Sequence, residues 1–247
     1  MAVKAASGAA TAKAAAGAAA VAPAKPVKPA KPSTRDQILT ASLDLFNLEG
    51  FDGTSIAMIC ERVNIMAGNL TYYFPKKRDI VFAIRDDFDR QLSSLQSGML
   101  DALLDEKRPP SPADTHQLLR TMMEIIWEHR FFFTSMMALH RLDRRVVIAF
   151  RQVEQQARVG LSQLVQKTVT DQVLSPLSYP NSVSALADNI WYIMWGCMFF
   201  QKVRDKEMEP AKSVVITTCL LQLGALLEPM LEPDFMAAYC REVTRNR

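Results

Sequence analysis

The chain has no stretch where apolar and polar residues alternate over the length of a strand, and no internal repeat. That argues against a sheet-based fold and against a solenoid. No run of 18 apolar residues escapes interruption by charge, so no membrane span and no membrane partner are expected. Histidine is scarce, with three residues in 247, and cysteine stops at four. Cys60, Cys197, Cys219 and Cys240 lie far apart, and no second His or Cys stands at helical ligand spacing from His129 or His140. Neither a disulfide framework nor a metal centre is expected, and the thiols fit a reducing cytoplasm. None of the nine glycines opens a phosphate-cradling loop, and no Ser-His or Cys-His pairing is visible. Glu124 and Glu128 lie one turn apart, but with Arg120 nearby they read as a solvated helix face. No enzyme and no cofactor are expected.

What is present begins with a charge asymmetry. The formal charge of +3 conceals five lysines and no acid in residues 1–32, seven basic against nine acidic residues in 33–92, and seventeen of each thereafter. Residues 1–32 are rich in Ala, Lys and Pro, and the prolines at 23, 26, 29 and 32 break any helix that alanine would favour, so this tail is expected to be disordered. Residues 5–22 are Ala-rich rather than Leu-rich and Lys13 interrupts them, unlike a secretion signal. The tail reads either as a solvated leader or as an arm whose lysines add phosphate contacts.

The most informative stretch is Thr54–Arg78. Ile56, Ile59, Cys60 and Val63 mark one helix face after the capping residues Thr54 and Ser55. Asn64 occupies the turn, where a left-handed conformation suits asparagine. A second apolar face runs through Met66, Leu70, Tyr73 and Phe74 until Pro75 stops it. Two short helices joined by a tight turn, over about residues 55–74, are the layout of a helix-turn-helix. Leu70, Tyr73 and Phe74 are expected in the core. Gly68, Asn69, Thr71 and Tyr72 then face outward, where an amide, a hydroxyl and a phenol can reach base edges and phosphates. Upstream, a helix should begin near Ser33–Thr34, with Thr34 and Gln37 as a capping box, and end at Gly50. Downstream, Val81, Ile84, Phe88, Leu92, Leu95 and Met99 predict one long helix from about Lys76 to Leu104.

These residues carry a family resemblance. Arg35, Ile38, Leu39, Leu45, Phe46, Gly50, Phe51, Thr54, Ser55, Ile59, Val63, Gly68, Asn69, Leu70, Phe74, Lys77 and Ile80 follow the order and spacing of the DNA-binding domain of TetR-family bacterial transcriptional regulators. Asn64 departs from the family's usual Gly, and Thr71 from its usual Tyr. The resemblance implies an all-α protein with a DNA-binding head over 33–92 and a ligand-binding, dimer-forming body over 93–247. It implies DNA contacts from Thr54, Ser55, Met66, Ala67, Gly68, Asn69, Thr71, Tyr72, Tyr73 and Lys77, with Lys77 on the phosphate backbone. It also implies a small-molecule inducer and a homodimer on a palindromic double-stranded operator.

The body reads as helices over about 115–130, 131–142, 144–172, 182–204, 210–229 and 233–244, after a linker over Asp105–Asp114. Its Met and aromatic content suits an adaptable apolar cavity, with Trp127, Phe131, Met137, His140, Trp191 and Trp195 as the candidate lining. Arg141, His129 and Tyr192 are further polar candidates. Two helices carry broad apolar faces, Ile190, Ile193, Met194, Cys197 and Phe200 on one, Val214, Val215, Thr218, Leu221, Leu223 and Leu226 on the other, more than a monomer needs to bury. Two functions compete: a ligand-responsive repressor, and an architectural, nucleoid-associated DNA-binding protein of the same fold with a protein partner and no inducer.

Overall fold

The computed structural model describes residues 32–103, 109–177, 182–204 and 211–245, and among them the architecture is entirely helical. The tail expected over 1–32, apart from Pro32, lies outside the described residues, as do parts of the expected linker and of the loop near Pro180.

Helix α1 (Thr34–Gly53) starts one residue earlier in its capping than the sequence suggests. Ser33 is the N-cap and Asp36, not Gln37, completes the box: Ser33 Oγ accepts from Asp36 N at 3.2 Å, and Asp36 Oδ2 accepts from Ser33 N at 3.3 Å. Gly50 breaks the helix with φ 77°, a value that only glycine adopts cheaply. Helix α2 (Ile56–Val63) ends at Asn64 in the left-handed conformation, φ 58° and ψ 52°, as the turn requires. Helix α3 (Ala67–Tyr73) follows, then α4 (Lys77–Leu95). The long connector is not one regular α-helix: a π-helical turn (Gln96–Leu100) leads into α5 (Asp101–Leu103).

In the body, α6 (Pro112–Glu128) is capped by Ser111, so the linker is shorter than Asp105–Asp114. The predicted single helix over 131–142 is broken into α7 (Phe131–Thr134) and α8 (Met136–Leu142) by Ser135. Helices α9 (Arg144–Thr170), α10 (Ser182–Arg204), α11 (Lys212–Leu227) and α12 (Pro233–Arg245) complete it. The run Lys212–Met230 has a mean hydropathy of 1.5 and the length of a membrane span, contrary to the sequence expectation. Its apolarity is used inside the protein: Val215, Ile216, Cys219, Leu220 and Leu223 are buried as α11 packs on α6, α10 and α12.

Head and body share one core. Asn47 of α1 is buried and donates from Nδ2 to Glu128 O at 2.7 Å, while its Oδ1 accepts from Phe131 N at 3.0 Å. Phe51 N donates to Ser135 Oγ at 3.2 Å. An aromatic chain runs through this junction. Phe46 meets Phe131 at 5.2 Å, Phe131 meets Phe132 at 4.1 Å, and Phe132 meets Phe88 of α4 at 5.8 Å. His129 lies buried against the Phe88 ring at 4.9 Å, with Nδ1–H donating to Ile125 O at 2.9 Å. Its Nε2 has no hydrogen-bond partner and faces Asp87 Oδ2 at 3.7 Å.

Two outcomes follow from this junction. Asn47→Ala strands a buried carbonyl and a buried N–H, so urea unfolding should register a loss of roughly 1–3 kcal/mol. Burial lowers the pKa of His129, against the opposing pull of Asp87 and Glu128, and burial lowers that of His116 with help from Arg120. The unfolded chain then binds protons below about pH 6.5 that the folded chain refuses, so stability falls as pH drops from 6.5 toward the folded values. Thermal melting between pH 7 and 5.5 should show this slope, and a His116→Gln/His129→Gln double variant should flatten it.

Candidate nucleic-acid interface

The surface of α3 is set by what it buries. Leu70 and Phe74 are buried, and the Phe74 ring is covered by Arg35, whose guanidinium carbon lies 5.3 Å from the ring centre. Met66, Ala67, Gly68, Asn69, Thr71 and Tyr72 are then exposed together, with Tyr72 83% and Met66 78% accessible. A Cβ built on Gly68 meets nothing within 4 Å, so the fold itself does not require glycine there. Thr71 Oγ1 donates back to Gly68 O at 3.0 Å and Ala67 O at 3.2 Å, which leaves its lone pairs outward. Tyr73, expected in the core, is 39% exposed and sets its ring edge-on to Tyr72 at 5.2 Å. Only seven residues separate the turn from Pro75, and Leu70 and Phe74 suffice to fill the space beneath them.

Three other predicted contacts divide. Ser55 is exposed and caps α2, its Oγ accepting from Met58 N at 3.2 Å. Thr54 is 2% exposed and donates from Oγ1 to Gly50 O at 2.9 Å, so it closes the end of α1 instead of reaching outward. Lys77 is likewise turned inward. Its ammonium donates to Phe51 O and sits 4.0 Å from the Phe51 ring centre and 5.7 Å from that of Phe46. The orphan carbonyl at the end of α1 and two aromatic faces hold it there. Burial lowers its pKa, and the nearby Asp52 partly offsets that. The expected phosphate contact by Lys77 is therefore corrected for this structure. Exposed cations around α3 are Lys76, Arg35 and Arg62. Arg62 escaped notice in the sequence, although its place in the last turn of α2, one turn before the cap, was readable.

In the body the six candidate pocket residues do not meet around a space. Phe131 and Trp191 are buried in the aromatic chain, and Trp195 packs on Phe133 and Phe150 at 5.8 Å each. Trp127 is stacked by Arg130 at 4.4 Å. Met137 is 71% exposed and His140 is exposed, because the break at Ser135 turns α8 onto the surface. The enclosed spaces lie elsewhere. One, of about 40 Å³, is bounded by Leu92, Leu95 and Gln96, by Leu118 and Met122 of α6, and by Val153, Gln156, Ala157, Gly160, Leu161 and Leu164 of α9. A second of about 40 Å³ adjoins it through Leu161 and Leu164 and reaches Ile190, Leu231 and Tyr239.

This arrangement of head, connector and body has relatives. The family described as "Bacterial regulatory proteins, tetR family" matches residues 38–84, and the one described as "Bacterial transcriptional repressor" matches 97–239. The HTH-type transcriptional regulator RutR of Escherichia coli K12 is 30% identical over 105 residues, 41% of this chain and 47% of the relative. The HTH-type transcriptional regulator BetI of Cronobacter sakazakii is 31% identical over 90 residues, 36% of this chain and 41% of the relative. The chain thus spans about half the length of the curated relatives it matches. A TetR-family transcriptional regulator from Marinobacter aquaeolei superposes with a TM-score of 0.72 at 24% identity, over 87% of this chain and 100% of that one, a likeness of fold. On the matched head and body together, the chain belongs to the TetR family of bacterial regulatory proteins.

Proposed function

We propose that the protein is a homodimeric, ligand-responsive transcriptional repressor that reads a palindromic duplex operator with α3. The observation that carries this reading is the bare outer face of α3, which presents Asn69, Thr71 and Tyr72 around an unhindered Gly68. Such a face enters a major groove with its N-terminal residues at the base edges. Ser55 at the start of α2, with Lys76, Arg62 and Arg35, supplies the phosphate contacts.

The dimer reading rests on α10 and α11. Tyr192, Phe199 and Phe200 on one, and Val214 and Leu221 on the other, remain exposed after the body has packed. Covering them with a second copy by two-fold symmetry gives two α3 helices for two half-sites. The inducer reading rests on the space under the π-helical turn. At about 40 Å³ it holds about one water, so an apolar ligand of useful size enters only by parting α4 from α6 and α9. That displacement is carried by α4 to the head. To empty the operator the ligand must favour the parted state by several kcal/mol, of the order of 5 for a full switch.

The architectural reading draws on the same small volume, since a filled core needs no ligand. It expects broad DNA binding, a protein partner found by pull-down and no ligand-induced melting shift.

Capture of genomic fragments by the purified protein, followed by sequencing, tests the proposal, with an enriched palindrome expected and broad enrichment without one refuting it. On an enriched fragment, fluorescence anisotropy should show Tyr72→Ala weakening binding, and Lys76→Ala lowering the salt slope by about one. Lys77→Met should leave that slope unchanged while costing stability of about 1–2 kcal/mol from the lost carbonyl bond and ring contact. Phe200→Arg should shift sedimentation to the monomer and weaken operator binding with it.

A further inference from the structure

Two of the four thiols belong together. Cys219 of α11 is fully buried, and its Sγ donates to Met123 Sδ of α6 at 3.4 Å. Cys197 of α10 lies at the edge of the buried face, half-buried, and its thiol is within hydrogen-bonding contact of Cys219. Cys60, in the head, and Cys240, on α12, are also free.

We propose that Cys197 and Cys219 are an oxidation site, a thiol pair that a peroxide converts into a disulfide joining α10 to α11. The two members are unlike in the way such chemistry needs. Cys197 is the accessible one, and when it loses its proton Cys219 can turn its S–H toward the thiolate, which holds Cys197 below the ordinary thiol range. Cys219, sealed in the core, is pushed far above it. The accessible, more acidic thiol is the one that reacts first, and the buried neighbour resolves the product. Hydrogen peroxide is little larger than water, so it needs only the narrow approach that Cys197 offers.

The steps balance. The Cys197 thiolate sulfur attacks one peroxide oxygen, the O–O bond breaks, and hydroxide leaves as Cys197 becomes a sulfenic acid. Cys219 gives its proton to that hydroxide and attacks the Cys197 sulfur. The S–S bond forms, the S–O bond breaks, and the departing hydroxide leaves as water once protonated from solvent. Two thiols are oxidised by two electrons and one peroxide is reduced to two waters. A neutral disulfide suits the apolar surroundings better than a buried thiolate. The bond would tie together the two helices whose outer residues are proposed to face a second copy, but the site itself does not rest on that reading.

The test is non-reducing peptide mass mapping of the full-length reduced protein after brief treatment with a few equivalents of hydrogen peroxide. The expected result is an intramolecular Cys197–Cys219 cross-linked peptide, lighter by two hydrogens and restored by dithiothreitol. In Cys219→Ser, Cys197 should halt at a sulfenic acid that dimedone traps, and Cys197→Ser should remain unreacted at Cys219. Sulfinic acid accumulating on Cys197 of the wild type, a cross-link through Cys60 or Cys240, a bond between two chains, or four unchanged thiols would each overturn the proposal.

Discussion

A single side-chain amide sits where the head meets the body. Helix α6 ends at Glu128 and α7 begins at Phe131, so the break leaves a carbonyl and an N–H without helical partners. Both are inside the protein. The amide of Asn47 has one donor group and one acceptor to offer, and it satisfies both. Because Asn47 belongs to α1, the repair of a body helix is also the placement of the head. The ring contacts from Phe46 to Phe131 and onward to Phe88 depend on that placement, since aromatic pairs at 4 to 6 Å tolerate little sliding.

The same economy governs the charges. The head is not basic overall, and several of its cations are occupied by the fold. Lys77 holds the end of α1, Arg78 bridges to Asp143 at 3.6 Å, and Arg85 pairs with Asp86 at 2.7 Å. Asp143 in turn caps α9, and Arg145 with Arg78 holds its carboxyl down at about 2. Long-range attraction of DNA by the bulk charge of the head is therefore weak. Position decides, and the exposed cations nearest α3 matter more than the total.

Much of this was legible because helix starts and stops are local events. Asn64, Gly50 and Pro75 punctuate the chain where the sequence places them, and Leu70 and Phe74 fill the core under α3 as their spacing requires. The errors share a cause: they concern where a side chain points once helices pack. Thr54 and Lys77 look outward on a wheel, but the carbonyls of Gly50 and Phe51 at the end of α1 capture them. Met137 and His140 sit in an apolar run that reads as one helix. Ser135 divides it because its hydroxyl receives Phe51 N from the head, a contact 84 residues away in sequence. The density of aromatics signals a hub of packed rings as readily as a cavity, and composition does not distinguish them.

The π-helical turn at Gln96–Leu100 has a consequence for phase. Leu95 and Leu103, on either side of it, are both buried. Eight α-helical steps would set them about 80° apart, on different faces, whereas absorbing one residue in the wider turn returns them to within about 20° of one line. The connector is thus two helices in different register, spliced with one surplus residue. The N-terminal half is phased by the head and the C-terminal half by the body, and neither has to compromise. Tolerance for a change of length is concentrated in those five residues. Removing one there closes the splice into a plain helix, while removing one elsewhere rotates a whole face out of the core.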